Sequence, residues 1–231
     1  MKWKLTAGAL CLALQAGTSL AAPVQVWNNG GIGAPVGGDP GGSQMSEFLQ
    51  AEDFTLATSQ SLSSFTFWAW ANRADYAGSI TYTIYGNSGG SPDAALSSGS
   101  LAVTPTSVAG SFLGLNAFQF DVSLGGLNLA AGTYWLALHN GAANNLDGVD
   151  FYWAMSDFGV GDNGGTNTGQ ELDLTTAGSV WGTNGFEHAF ALFAEPTGQA
   201  LPEPAGLALA LSALALMGTV HRGRAASRTR R

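Results

Sequence analysis

The chain has 231 residues, with 16 acidic and 8 basic side chains, a formal net charge of −8 and a single cysteine. Seven of the basic residues lie near the ends (Lys2, Lys4, Arg222, Arg224, Arg228, Arg230, Arg231), so residues 22–201 carry Arg73 against 15 carboxylates, a charge of −14. A body this acidic lacks the cations that neutralise a phosphate backbone, which excludes nucleic acid as a partner.

The first element is a secretory signal. Met1-Lys2-Trp3-Lys4 is a short basic region, residues 5–14 are apolar, and Ser19-Leu20-Ala21 places small residues at −3 and −1 of a cleavage site. Cleavage after Ala21 is expected. A cut after Ala22 would leave Leu20 at −3 and Pro23 at +1, both poor for signal peptidase. Cys11 lies inside this segment, so the mature chain has no cysteine and neither disulfides nor thiol chemistry.

The body, about 180 residues, is long enough for one domain with a real core. Its pattern is period two. Phe65, Phe67 and Ala69 oppose Thr66, Trp68 and Trp70; Ile80, Tyr82 and Ile84 oppose Thr81, Thr83 and Tyr85. Phe118, Phe120 and Val122 oppose Gln119 and Asp121; Tyr134, Leu136 and Leu138 oppose Trp135, Ala137 and His139. Val149, Phe151, Trp153 and Met155 oppose Asp150, Tyr152 and Ala154, and residues 187–194 end the series with Phe190 and Leu192 against Ala191 and Phe193. With residues 52–57 and a weaker stretch at 100–104, about eight strands are expected, separated by Gly-, Asn- and Ser-rich loops at 27–46, 87–93 and 157–169. The fold class is therefore all-β, an antiparallel β-sandwich of jelly-roll type.

Few residues in the body suit catalysis. It holds two histidines, His139 and His188, and no Gly-x-Ser-x-Gly turn surrounds a serine. Both histidines read as structural, and no catalytic residue is assigned. The alternative is a secreted hydrolase of carbohydrate using a loop carboxylate pair drawn from Asp147, Asp150, Asp157, Glu171 and Asp173. Calcium is the one candidate cofactor, because Asp147, Asp150, Asp157 and Asp162 lie in Asn/Gly loops rich in oxygen donors, without an EF-hand spacing. That would make a calcium-dependent adhesin. Sugar binding is the sharper expectation. Trp68, Trp70, Tyr85, Trp135 and Tyr152 sit opposite the core positions, with His139 and Asp150 beside them as polar partners. Aromatic faces of this kind stack on the apolar faces of sugars unless both faces of the sheets are covered.

The final segment is Pro202-Glu203-Pro204, an apolar run over 205–220 and an arginine-rich end at 221–231. Each proline fixes φ and lacks an N–H, so the triplet punctuates the chain ahead of a membrane helix. The arginines hold the end on the cytoplasmic side. At 1.5 Å per residue the run reaches roughly 24 Å, short of the roughly 30 Å hydrocarbon core. This tripartite order resembles the PEP-CTERM sorting signal of exported bacterial proteins. The resemblance implies recognition and cutting by a membrane-embedded exosortase, and export alongside extracellular polysaccharide. Gln50-Ala51-Glu52-Asp53-Phe54-Thr55-Leu56, Phe65-Thr66-Phe67-Trp68, Gly132-Thr133-Tyr134-Trp135-Leu136 and Ala189-Phe190-Ala191-Leu192 are loosely similar to the β-rich ectodomains that precede such tails.

The expected organisation is a signal peptide at 1–21, an ectodomain at 22–197 and a sorting region at 198–231. The expected protein is non-catalytic and placed at the bacterial surface or secreted by way of the inner membrane. Its partners are signal peptidase, exosortase and polysaccharide, and it meets the membrane only transiently.

Overall fold

The alternating stretches become strands of two antiparallel sheets in a computed structural model of the protein, which describes residues 21–32, 41–156 and 168–196. Among the described residues thirteen strands run in chain order: β1 (Val24–Asn28), β2 (Gly42–Gln44), β3 (Phe48–Leu56), β4 (Gln60–Ala71), β5 (Ile80–Ser88), β6 (Ser91–Leu101), β7 (Thr106–Phe112), β8 (Leu115–Leu129), β9 (Gly132–Asn140), β10 (Phe151–Ala154), β11 (Gln170–Asp173), β12 (Gly182–Thr183) and β13 (Phe190–Ala194). The only helix among the described residues is one 3-10 turn, Arg73–Asp75. None of it is long and apolar enough to cross a membrane.

The six-stranded sheet has the order β12-β11-β3-β9-β5-β6. In the seven-stranded sheet β4 pairs along one edge with β8, which in turn carries β7. Its other edge is shared, β13 occupying Leu62 to Phe67 and β10 occupying Ala69 to Ala71. β1 then adds to β13 and β2 to β10. The chain therefore leaves the sheet after β10 and re-enters it at β13 on the same edge of β4.

The period-two positions dictate the core. Phe65, Phe67, Phe120, Phe151, Trp153 and Phe190 from one sheet and Phe54, Ile80, Ile84, Leu136 and Leu138 from the other form a single buried cluster. Rings interlock across it: Phe65 meets Tyr82 edge-on at 5.9 Å and Phe54 meets Phe190 edge-on at 6.5 Å. Each large side chain so buried contributes about 1.5–3 kcal/mol. Residues Pro23–Pro196 make one compact unit around this core.

The strand count exceeds expectation because edge strands need no apolar alternation. β6 reads Ser-Pro-Asp-Ala-Ala-Leu-Ser-Ser-Gly-Ser-Leu and is mostly exposed, yet it pairs with β5 from Ser88↔Ser91 to Ile80↔Leu101. Gly89 and Gly90 between them both take positive φ (62° and 83°), the pair of left-handed residues that a tight hairpin needs. The loop expected at 87–93 shrinks to these two glycines, and the strand expected at 100–104 lies mostly beyond the end of β6. The stretch 27–46, read as loop, contains the end of β1 and all of β2. β7 was not expected at all. The signal-peptide and C-terminal-helix expectations fall on residues 1–20 and 197–231, outside the described residues.

Candidate functional site

At one end of the core the inward positions turn polar. Along β3 the inward series is Gln50, Glu52, Phe54 and Leu56, so a carboxyl occupies a place where the neighbouring strands offer Leu136 and Leu138. Glu52 is 0% exposed and reaches across to the opposite sheet's margin, where His188 (0%) precedes β13 and Ser43 (5%) stands opposite Trp153 on β2. Glu52 Oε2 lies 2.8 Å from His188 Nδ1 and accepts the His188 backbone N–H at 2.9 Å. His188 Nε2 lies 2.8 Å from Ser43 Oγ. The imidazole is stacked on Trp153, ring centres 4.7 Å apart.

A second ring of hydrogen bonds holds this line in place. Thr168 donates to Glu52 Oε1 at 3.0 Å, and Asn184 donates to Gln50 Oε1 at 2.9 Å. Gln50 in turn donates to the Gln44 carbonyl, and Asn29 donates to Glu187 at 2.6 Å and to the His188 carbonyl at 2.9 Å. Two glycines make the approach feasible. A Cβ on Gly42 would stand 2.5 Å from the Trp153 carbonyl oxygen, and one on Gly169 would stand 2.8 Å from His188 Cε1.

The order serine–imidazole–carboxyl is that of an activated nucleophile, but its proton inventory runs the other way. Burial above all, then repulsion from Glu187, pushes the Glu52 carboxyl well above its ordinary range, while burial lowers His188 to about 3. Both shifts favour the uncharged forms, and the neutral pair holds the same single proton as an ion pair, on the carboxyl instead of on the ring. With the proton on Glu52, the carboxyl donates to Nδ1, the ring's own hydrogen sits on Nε2, and Ser43 accepts it. What the arrangement does is clasp the two sheets together where β10 departs and β13 returns.

The expected sugar-binding residues divide between two outer faces. Trp68, Trp70 and Tyr152 belong to the seven-stranded sheet, Tyr85 and Trp135 to the six-stranded one, so they do not form one surface. Trp70 is 4% exposed beneath Phe112 and Leu115 and donates to the Gly41 carbonyl at 2.8 Å. Trp135 is 2% exposed among Leu172, Leu174 and Trp181 and donates to Asn87 at 2.9 Å. His139 is fully buried, which lowers its pKa, and its Nδ1 lies 3.5 Å from the Gly141 carbonyl. Trp68, Tyr85 and Tyr152 keep part of their rings in solvent, and exposed Asp150 accepts from the Tyr152 hydroxyl at 2.9 Å. Sequence reasoning missed Phe193 and Trp181, which are similarly half-buried. It also missed the clasp, whose one legible trace was the polar pair Gln50 and Glu52 at core parity.

Of the candidate calcium ligands, Asp157 and Asp162 lie outside the described residues. Asp147 is exposed, accepting from Asn145 at 3.0 Å and from the Val149 N–H at 3.4 Å. Among the described residues no group of three or more His, Cys, Asp or Glu is placed to hold a metal ion. Ala21 and Ala22 precede β1 without regular structure, and Pro202, Glu203 and Pro204 lie outside the described residues. Fold and faces define a two-sheet antiparallel β protein with a polar clasp inside and aromatic rings on both outer surfaces. No protein-family model matches the chain, and no curated protein matches it.

Proposed function

We propose that this is an exported, non-catalytic protein of a bacterial cell surface or extracellular matrix, sorted by exosortase and associated with extracellular polysaccharide. On this reading signal peptidase cuts after Ala21, the run at 205–220 enters the inner membrane briefly, and Pro202-Glu203-Pro204 marks the segment for removal. One observation carries it: the compact unit Pro23–Pro196 begins and ends where the two processed segments would leave it. That unit is cysteine-free and strongly acidic, which suits a soluble protein outside the cell. The repeated passage of the chain between sheets, at β2–β3, β3–β4, β4–β5, β6–β7, β8–β9 and β9–β10, supports a jelly-roll-like sandwich as its architecture. Half-buried rings flanked by carboxylate and carboxamide groups support contact with sugars.

Replacing Pro202-Glu203-Pro204 by three alanines should leave a full-length precursor in the membrane fraction of the native host. Unchanged processing of that variant overturns the sorting role.

A further inference from the structure

On the outer face of the seven-stranded sheet a strip runs across β8, β4 and β13, beginning at Trp68, which packs against the cluster of Trp70, Phe112 and Leu115. There Trp68 stands opposite Gln119, Thr66 opposite both Asp121 and Ala191, and Ser64 opposite Phe193. The alternate residues Phe65, Phe67, Phe120 and Leu192 point into the core, which fixes the first set on the outside. Trp68 and Phe193 are half-buried, Asp121 is exposed, and Thr66 (8%) and Ala191 (3%) form a low floor between the two rings. Asp121 is already oriented: Thr66 donates to its Oδ1 at 2.6 Å and Gln119 donates to both of its oxygens at 3.1 Å.

We propose that this strip, Trp68–Gln119–Asp121–Thr66–Phe193, is the binding surface for an extended, uncharged polysaccharide. The inference rests on the polysaccharide reading above and narrows it to one face and one ligand class. Four residues of strand separate the levels of Trp68 and Phe193, about 13 Å, so the two rings serve different sugars of one chain. A single sugar would meet only one ring. The polar groups between them offer a carboxylate acceptor and a carboxamide, the partners that hydroxyl groups need. Charge decides against anionic polymers. Residues 22–201 hold 15 carboxylates and one cation, Arg73, which is tied to the Pro105 carbonyl at 3.4 Å. A polyuronate would bring a negative charge with each sugar to a surface unable to neutralise it.

The test is retention of the purified full-length chain on insoluble cellulose, β-1,3-glucan, starch and mannan, set against immobilised alginate. Retention on at least one neutral polymer and none on alginate is expected. Trp68→Ala should weaken it about tenfold, Asp121→Ala should weaken it less, and Tyr85→Ala on the other sheet should leave it unchanged. Thermal unfolding of each variant separates lost binding from lost fold, including the loss of the acceptor that Asp121→Ala takes from Thr66 and Gln119. Preferential retention on alginate, or neutral binding lost with Tyr85→Ala but not with Trp68→Ala or Asp121→Ala, overturns this assignment while leaving polysaccharide association standing. Failure to bind any of the five polymers overturns both.

Discussion

The middle of the sandwich and its clasped end are built on opposite principles. In the middle, Phe67 lies 4.8 Å from Phe120 and 6.2 Å from Trp153, held by ring-to-ring contact without a directed bond of its own side chain. At the end, Ser43, Glu52 and His188 are equally buried, but each owes its place to a directed hydrogen bond. Apolar burial supplies stability in proportion to area. A buried polar chain adds little net stability when complete and costs heavily when one partner is lost. The difference teaches where register is set: the phenylalanines hold the sheets together, and the clasp holds β2, β3 and the approach to β13 in one alignment.

Three experiments break or sharpen that contrast. Phe67→Ala should cost the most, about 3–5 kcal/mol of unfolding free energy, read by urea denaturation. Glu52→Ala should cost about 3 kcal/mol, because His188 loses the partner of its Nδ1 and of its backbone N–H together. The paired replacement Glu52→Leu with His188→Phe should recover most of that loss, since two well-packed apolar groups leave nothing unsatisfied. Recovery in the pair separates a clasp that aligns strands from one that supplies net stability.

The third experiment is a pH series, with opposite slopes from the two groups. His188 titrates near 3 in the folded chain against 6.5 when unfolded, so the unfolded state takes up the extra proton. Stability therefore drains away as pH falls from 6.5 towards 3, by about 1.4 kcal/mol per unit at most. Glu52 is raised above 4.5, so the folded state keeps a proton that the unfolded chain has released, and stability falls as pH rises beyond 4.5. The slopes oppose each other between 4.5 and 6.5. Below that window His188 acts alone, above it Glu52. Subtracting the curve of the Leu/Phe pair should leave a maximum inside the window, and a flat difference would contradict the neutral clasp.

How much of this was legible beforehand depends on what each residue answers to. Phe65, Phe67 and Ala69 on β4, or Ile80, Tyr82 and Ile84 on β5, face a core along their whole length, so period two announces them. β2 is three residues held by its pairing with β10, and β6 is an exposed edge; neither needs an apolar stripe, and neither shows one. Trp70 and Trp135 read as surface rings because parity tells which face a residue occupies, not whether Phe112 or Trp181 folds over it. The clasp joins residues more than a hundred positions apart, so no local spacing could have revealed it. Only Gln50 and Glu52 betrayed it, as polar side chains in an inward series.

The most direct trial of the account is the intact mass of the protein recovered from its native host. Processing at both ends predicts a chain that begins at Ala22 and lacks the apolar run and the arginines after Pro204, found outside the inner membrane. A membrane-bound species ending at Arg231 would contradict it.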